Sequence, residues 1–314
     1  MQDVKLAVAQ FLPTPLDKEA NLAKIEKLTA QAAEAGAEIV CFQEQAVGGY
    51  NLWGLGKGRE RDGAPGVEPG RVPPDWNQAG ADPYELAEPV PDGPSTQRLI
   101  GIARKTGAVV MAGLVELHRD NACYNTYVIV SPDGYIGRYS KCHCVPGLEF
   151  AYFKQGNAFP VHDLGKLRAG VLICYDNHFP EAHRIYAVHG AHAIIMPHVT
   201  AGRSWWSDLP PADARRQAQN WILTWLRARA FDNSVFVAFI NQAGGNDGSL
   251  GCSMILNPDG DVIAECQSTG EEYAVAQLSA RRYYEIRRRT HDYIVHRRPE
   301  LYGDLTRTDI GETL

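Results

Sequence analysis

Cys174 stands where a run of small and apolar residues, Ala169-Gly170-Val171-Leu172-Ile173, gives out. Asp176-Asn177-His178 follows, and then Pro180-Glu181. That pair suits the first turn of a helix, where proline forfeits no hydrogen bond and glutamate complements the dipole. A thiol at a strand end, facing backbone N–H groups that lead into a helix, is well placed as a nucleophile. Those dipoles favour thiolate over thiol, and an oxyanion can use the same donors. Two further polar residues also end predicted strands: Glu44 in Cys-Phe-Gln-Glu and Lys141 in Tyr-Ser-Lys.

The elements that must carry these residues follow from apolar spacing. Val4 to Ala9 reads as a strand, and Pro13 and Pro15 break it. Asp17 is a suitable N-cap for a helix with Leu22, Ile25, Leu28 and Ala32 on one face, ended by Gly36. Ile39-Val40-Cys41-Phe42 is a strand buried on both faces, delivering Gln43 and Glu44 at its carboxyl end. Strand, helix, strand implies a parallel pair, and ligands gather at the carboxyl ends of such strands. Residues 53–94 hold eight glycines and eight prolines, which reads as one long irregular excursion, a lid or contact surface. A helix from Pro94-Ser95 to about Lys105 and a strand at 108–115 resume the order. Ser131-Pro132-Asp133-Gly134 joins two strands as a hairpin, and Asn257-Pro258-Asp259-Gly260 does the same in the second half. Ala193–Met196 is a buried strand ending at Pro197. A helix over 211–229 places Ala218, Trp221, Ile222, Trp225 and Leu226 on one face, and strands at 234–240 and 273–278 complete the pattern. Alternating strands and helices in both halves give an α/β fold with two sheets.

Nothing in the composition marks a boundary, so the 314 residues are expected to form a single domain, with an insertion at 53–94 and a C-terminal extension from about 291. Hydrophobic content of 45% supports a sizeable core without staples. The formal charge of −6 argues against nucleic acid and anionic membranes as partners. No apolar run approaches the roughly 20 residues of a membrane span. Seven scattered cysteines, an odd number, and an N-terminus without a signal-peptide pattern point to a reducing, cytoplasmic setting.

In their order and local sequence, Glu44, Lys141 and Cys174 resemble the nitrilase superfamily of carbon–nitrogen hydrolases. The resemblance extends over nearly the whole chain: Tyr124-Asn125-Thr126, the Ser131–Gly134 turn, Gly156 after Tyr152-Phe153-Lys154, Pro180-Glu181 with Arg184, and Arg298-Pro299-Glu300-Leu301-Tyr302-Gly303. It implies a four-layer αββα sandwich with two mixed β-sheets, self-association, and a Glu-Lys-Cys triad joined by a second glutamate, Glu149. A free thiol near pKa ~8.5 is mostly protonated at neutral pH and needs a base or a cation. Glu44 can take its proton, pass it to a departing amine and then activate water. Lys141, with the backbone N–H after Cys174, can stabilise the oxyanion. The expected reaction is hydrolysis of a small amide or N-carbamoyl compound through a thioester, with no cofactor.

Branches of the superfamily differ next to the nucleophile. Nitrilases usually place tryptophan and glutamate there; Tyr175 and Asp176 favour an amidase or carbamoylase. Carbamoylases acting on carbamoyl amino acids often carry arginine just beyond the cysteine, where this chain has Asn177 and His178. Arg203 can supply that charge through a bidentate carboxylate contact. Tyr175, Asn177, His178, His143, Arg203 and Trp53 are therefore the expected substrate-binding residues. Cys142-His143-Cys144 invites zinc, but the spacing lacks the Cys-x₂₋₄-Cys pair, and no metal is expected. A true nitrilase and a non-catalytic interaction or metal-binding protein on the same fold are the competing readings.

Overall fold

β1 (Val4–Gln10) shows how the layers arise. Val4, Leu6 and Val8 join one buried cluster, while Ala7, Ala9 and the following Phe11 join another. A strand sends successive side chains to opposite faces, so an apolar layer lies on each side of β1. In the computed structural model, which describes residues 1–50, 83–146, 148–150, 152–200, 208–244, 249–288 and 292–308, β1 lies in the first of two sheets, one layer packing on helices and the other shared with the second sheet. The first sheet runs β12 (Glu272–Leu278), β1, β2 (Ile39–Cys41), β3 (Val109–Leu117), β4 (Cys123–Ser131), β5 (Gly134–Ser140). β1, β2 and β3 are parallel and the flanking strands antiparallel.

The second sheet repeats this plan, in the order β11 (Val262–Glu265), β10 (Met254–Leu256), β9 (Phe236–Asn241), β8 (Ala193–His198), β7 (Arg168–Val171), β6 (His162–Asp163). Here β7, β8 and β9 are the parallel centre. Helices α1 (Lys18–Glu34) and α3 (Pro94–Thr106) cover the first sheet with Leu22, Ile25, Leu28, Leu99 and Ile102. Helices α4 (Pro180–Val188) and α5 (Pro211–Asn233) cover the second with Ala182, Tyr186, Ala218, Ile222 and Leu226. Between the sheets, Val8, Cys41 and Tyr127 share a cluster with Val171, Ile195 and Ile240. The result is the four-layer αββα sandwich. The last strand, β12, crosses back to pair with β1, and α6 (Ala280–Arg287) follows it.

Three sequence expectations change. Pro197 does not end its strand. β7 stops at Val171, with Leu172 N–H bonded to Ile195 O at 3.0 Å, so β8 beyond Ile195 pairs with β9 alone. Alternation turns Pro197 towards the vacated side, where no ladder donor is needed. Within the stretch at 53–94 expected to be irregular, the described residues from Pro83 onward hold defined structure. α2 (Pro83–Leu86) leads to Glu88, which bridges to Glu116 along β3 through Glu88 N to Val115 O (3.1 Å) and Leu117 N to Glu88 O (2.9 Å). Finally, α5 runs a turn past residue 229 to Asn233. Among the described residues no helix is long and apolar enough to cross a membrane.

Candidate active site

Glu44 leaves the carboxyl end of β2 where the backbone is pressed against β3. A Cβ on Gly113 would lie 2.3 Å from Gln45 N and 3.0 Å from Glu44 C, so only glycine lets the two segments meet. Lys141 leaves β5 beside the start of β4, its N–H bonded to Asn125 O at 2.9 Å. Gly156 clamps it from behind: its N–H reaches Lys141 O at 2.8 Å, and a Cβ there would strike Ser140 O at 2.1 Å. Close backbone contacts thus aim both side chains at one end of the first sheet.

There Lys141 Nζ lies 2.9 Å from Glu44 Oε1 and 2.9 Å from Glu149 Oε1. All three side chains are buried. Asn125 Nδ2 donates to the same two oxygens, at 2.7 and 3.2 Å, and its Oδ1 accepts from Gln45 Nε2 at 2.9 Å. Tyr50 OH donates to Glu149 Oε1 (2.9 Å) and Val145 N–H to Glu149 Oε2 (2.7 Å). Glu44 Oε1 is therefore occupied by two donors. Among the described residues its Oε2 takes the longer bond from Val199 N–H, at 3.2 Å, just past the end of β8.

Cys174 opens a short 3-10 turn, Cys174–His178, directly after Ile173, with φ +48°. That left-handed conformation costs a non-glycine residue about 1 kcal/mol and puts the side chain at the apex of a sharp strand-to-turn bend. Asp176 holds the bend. Its carboxylate accepts from Ile173 N–H (3.0 Å), Tyr139 OH (2.8 Å), and both the N–H and Nδ1 of His143 (2.7 Å each). Behind it, a Cβ on Gly170 would lie 2.4 Å from the Tyr186 ring, whose hydroxyl bonds Val171 O. Tyr175 N–H lies in the first turn, ahead of the helical ladder, where donors face outward.

Electrostatics tie the two halves together. Cys174 keeps some accessible surface, yet enclosure by protein and the Glu44 carboxylate push its thiol well above the ordinary value, against the pull of Lys141 and of the Val199 N–H. The sequence reading had dipoles favouring thiolate; burial and a neighbouring carboxylate reverse the sign. Burial also raises Glu44, with Glu149 adding repulsion and Lys141 opposing both. For Lys141, burial alone would lower the ammonium, but Glu149, Glu44 and Cys174 outweigh it and raise it far above a free lysine. Burial and the Glu44 carboxylate thus favour the thiol form of Cys174, while the two glutamates favour the charged form of Lys141.

A family model for carbon–nitrogen hydrolases matches residues 5–288. The chain belongs to the carbon–nitrogen hydrolase family. It is 30% identical over 306 residues to a nitrilase of Pyrococcus abyssi, covering 95% of this chain and 99% of that one. To a citrullinase of Francisella tularensis it is 29% identical over 320 residues, covering 98% and 99%. An amidase from Nesterenkonia sp. AN1, solved with the acetamide moiety of fluoroacetamide on its active-site cysteine, superposes with a TM-score of 0.70 at 23% identity over 96% of each chain.

In this carbon–nitrogen hydrolase the remaining expected residues fall in different places. Tyr175 and His178 sit beside each other, ring centroids 5.8 Å apart, with His178 5.9 Å from Trp221 and 5.5 Å from Trp225. Burial, then Arg229 and Lys141, lower the His178 pKa. Asn177, expected at the substrate, is fully buried behind the bend, its Nδ2 spent on Leu172 O (2.9 Å) and His198 Nε2 (2.8 Å), and so braces the elbow instead. His143, besides its bonds to Asp176, stacks on Phe179 at 4.0 Å. Trp53 and Arg203 lie outside the described residues. Cys142 Sγ faces the carbonyl oxygens of Ser140 and Ala158, and Cys144 Sγ that of Phe153, so the two thiols do not converge with His143. Among the described residues no three potential ligands gather around a metal-sized space. Sequence reasoning gave no role to Asn125, Tyr50 or the Val199 N–H. The first two are ordinary strand and loop polars until folding brings them to the carboxylates, and a backbone donor has no sequence signal at all.

Proposed function

We propose that the protein hydrolyses a small linear amide or N-carbamoyl compound through a thioester on Cys174. The observation that carries this reading is the division of labour at Glu44: Oε1 locked by Lys141 and Asn125, Oε2 held by the Val199 N–H that also bears on the Cys174 thiol. As Cys174 Sγ attacks the carbonyl carbon, Glu44 takes the thiol proton. The oxyanion that forms meets Lys141 Nζ and Tyr175 N–H. Glu44 then returns the proton to the nitrogen as the carbon–nitrogen bond breaks, leaving a thioester and free ammonia or amine. Water, deprotonated by the same carboxylate, attacks the thioester, and the acid and the protonated thiol are released. A base in this position contributes about 10²–10⁴-fold and one oxyanion donor about 10²–10³-fold.

Glu149 keeps the lysine charged and in place. Because Glu44 is raised and must be ionised to act, activity rises with pH through a point above the usual carboxylate range. A reduced, cytoplasmic setting is part of this reading, supported by seven free cysteines. So is self-association, supported by exposed Val188, Phe231, Val295, Leu301 and Leu305. Trp53 and Arg203 remain in the reading as substrate contacts, with Arg203 taking a substrate carboxylate.

The test is intact-protein mass spectrometry during turnover, with a panel of amides, carbamoyl amino acids, carbamoyl amines and nitriles scored by ammonia release. An acyl adduct on Cys174, and loss of turnover in Cys174→Ala, are expected. Wild-type turnover in that variant sinks the proposal. Acid formed from nitriles alone replaces it with a nitrilase.

A further inference from the structure

The elbow and the general base belong to different sheets; a buried polar couple ties the elbow to the end of β8, and the residue after β8 reaches the base. Asn177 Nδ2 donates one hydrogen to Leu172 O at 2.9 Å, which fixes the amide's orientation, because its oxygen cannot face a carbonyl. The second hydrogen goes to His198 Nε2 at 2.8 Å. Nε2 is then the acceptor, so His198 is neutral with its proton on Nδ1. The ring is wholly buried, packed on Phe239 at 4.7 Å and Trp225 at 5.6 Å. The next residue, Val199, supplies the N–H that meets Glu44 Oε2. On the far side, Asn241 holds Thr200 at both N–H (3.0 Å) and O (2.9 Å).

This couple is poorly explained as packing. Asn177 Oδ1 and His198 Nδ1 are buried with no hydrogen-bond partner among the described residues. Orphaned polar atoms of this kind destabilise, and an apolar pair of equal volume would serve a merely structural purpose better. What the polar couple adds is direction: it sets the angle between the Cys174 bend and the peptide that presents Val199 N–H.

We propose that Asn177 and His198 are positioning residues that latch the nucleophile's bend to the end of β8, and thereby fix how Glu44 Oε2 meets the Cys174 thiol. The inference rests on the hydrolase reading given above. Glu44 is faced by Lys141, Asn125 and Glu149 from the first sheet and by Val199 N–H and Cys174 from the second; Tyr50 feels its charge as well. Of these, the Cys174 bend and the Val199 donor depend on the latch, and that N–H bears on the thiol as well as on Glu44 Oε2. A donor to a carboxylate lowers its pKa, so loosening the latch lets Glu44 rise further.

The test follows the pH dependence of Cys174 alkylation by iodoacetamide, read on the Cys174 peptide by mass spectrometry, alongside kcat and KM for ammonia release and thermal unfolding. In His198→Leu the acid limb moves up by about half a pH unit or more, and kcat falls about tenfold with KM within about twofold. His198→Gln, which restores an acceptor near Nε2, returns both towards wild type. Asn177→Leu breaks the couple from the other side and gives the same shift should His198→Leu not fold. A limb in either leucine variant that coincides with wild type, or a glutamine variant as impaired as leucine, overturns the latch. Glu44→Gln separates the two levels. If it abolishes the limb while the leucine variants leave it unmoved, the latch alone fails. If it too leaves the limb unmoved, the hydrolase reading fails with it.

Discussion

The two sheets contribute to the site in opposite ways. At the end of the first, Lys141, Glu44, Glu149, Asn125 and Tyr50 form a cluster in which donors outnumber the oxygens they serve. At the end of the second, Cys174 sits at a left-handed φ, and Asn177 Oδ1, His198 Nδ1, His183 Nε2 and Trp225 Nε1 find no partner among the described residues. Their responses to acid differ in sign as well. Burial raises the Glu44 carboxyl on one side and depresses the His183 and His198 imidazoles on the other. Charge is settled in the first region and geometry in the second. Redundant hydrogen bonding buffers the carboxylates, whereas the Cys174 bend, though braced by Asp176, meets the end of β8 through the Asn177–His198 couple.

The largest expected effect removes the charge that settles the first region. In Lys141→Met two buried carboxylates face each other with no cation. Breaking a buried pair in this way costs about 3–5 kcal/mol, and the lost oxyanion donor costs about 10²–10³ in kcat. Urea unfolding and ammonia release measure the two separately. Adding Glu149→Gln to Lys141→Met removes the repulsion and returns much of the stability, but none of the rate. If the double variant regains activity, Lys141 only neutralises Glu149.

Next is Gly113→Ala, which tests whether the first region depends on backbone placement as much as on charge. The new methyl meets Gln45 N and Glu44 C, both backbone, so Glu44 must shift. Overpacking of this kind costs about 1–3 kcal/mol, and displacing a reacting group by an ångström costs about a hundredfold in rate. A variant with normal kcat would mean that β2 and β3 can separate without moving the carboxylate.

These contacts also show what the sequence could and could not convey. Apolar spacing was enough to locate β1, α1, β2 and the 131–134 hairpin, and it left Glu44, Lys141 and Cys174 each at a strand end. It could not show that Gly113 touches Gln45, because that contact joins strands 68 residues apart only after the sheet forms. Pro197 was misread since its tolerance depends on where β7 stops. The thiol's direction was misread because local helix dipoles are visible in a sequence, whereas the Glu44 carboxylate and the surrounding protein are not. Asn177 read as a substrate contact because it stands just beyond the nucleophile, where carbamoylases often carry arginine; the 3-10 turn buries it together with Asp176.

The opposite acid responses can be measured directly. His183 is held neutral, its pKa lowered to about 3 by burial, against 6.5 for a free histidine. Below pH 6.5 the unfolded chain binds a proton that the folded chain refuses, so this residue's contribution falls as pH drops from there towards about 3. Glu44 acts the other way: its raised carboxyl takes a proton earlier in the folded state, and acid relieves a cost present at neutral pH. His183→Gln should therefore flatten the loss of unfolding free energy on acidification by up to about 1.4 kcal/mol per pH unit, while Glu44→Gln steepens it. Equal slopes in both variants would remove the electrostatic contrast between the two regions.

The smallest effect tests the buffering itself. Tyr50→Phe deletes one donor to Glu149 Oε1, an oxygen that keeps Lys141 and Asn125, while Val145 N–H holds Oε2. Deleting a donor hurts most when it strands its acceptor; here the acceptor remains served, and the loss is about 1 kcal/mol or less of stability. Because Tyr50 hydrogen-bonds Glu149 rather than the base itself, kcat should fall by no more than about threefold. The latch offers the contrast, since removing His198 strands one hydrogen of Asn177 Nδ2 on an amide whose Oδ1 already has no partner among the described residues. A tyrosine variant as impaired as His198→Leu would show that the first cluster is as finely poised as the second, and that the number of hydrogen bonds is no measure of slack.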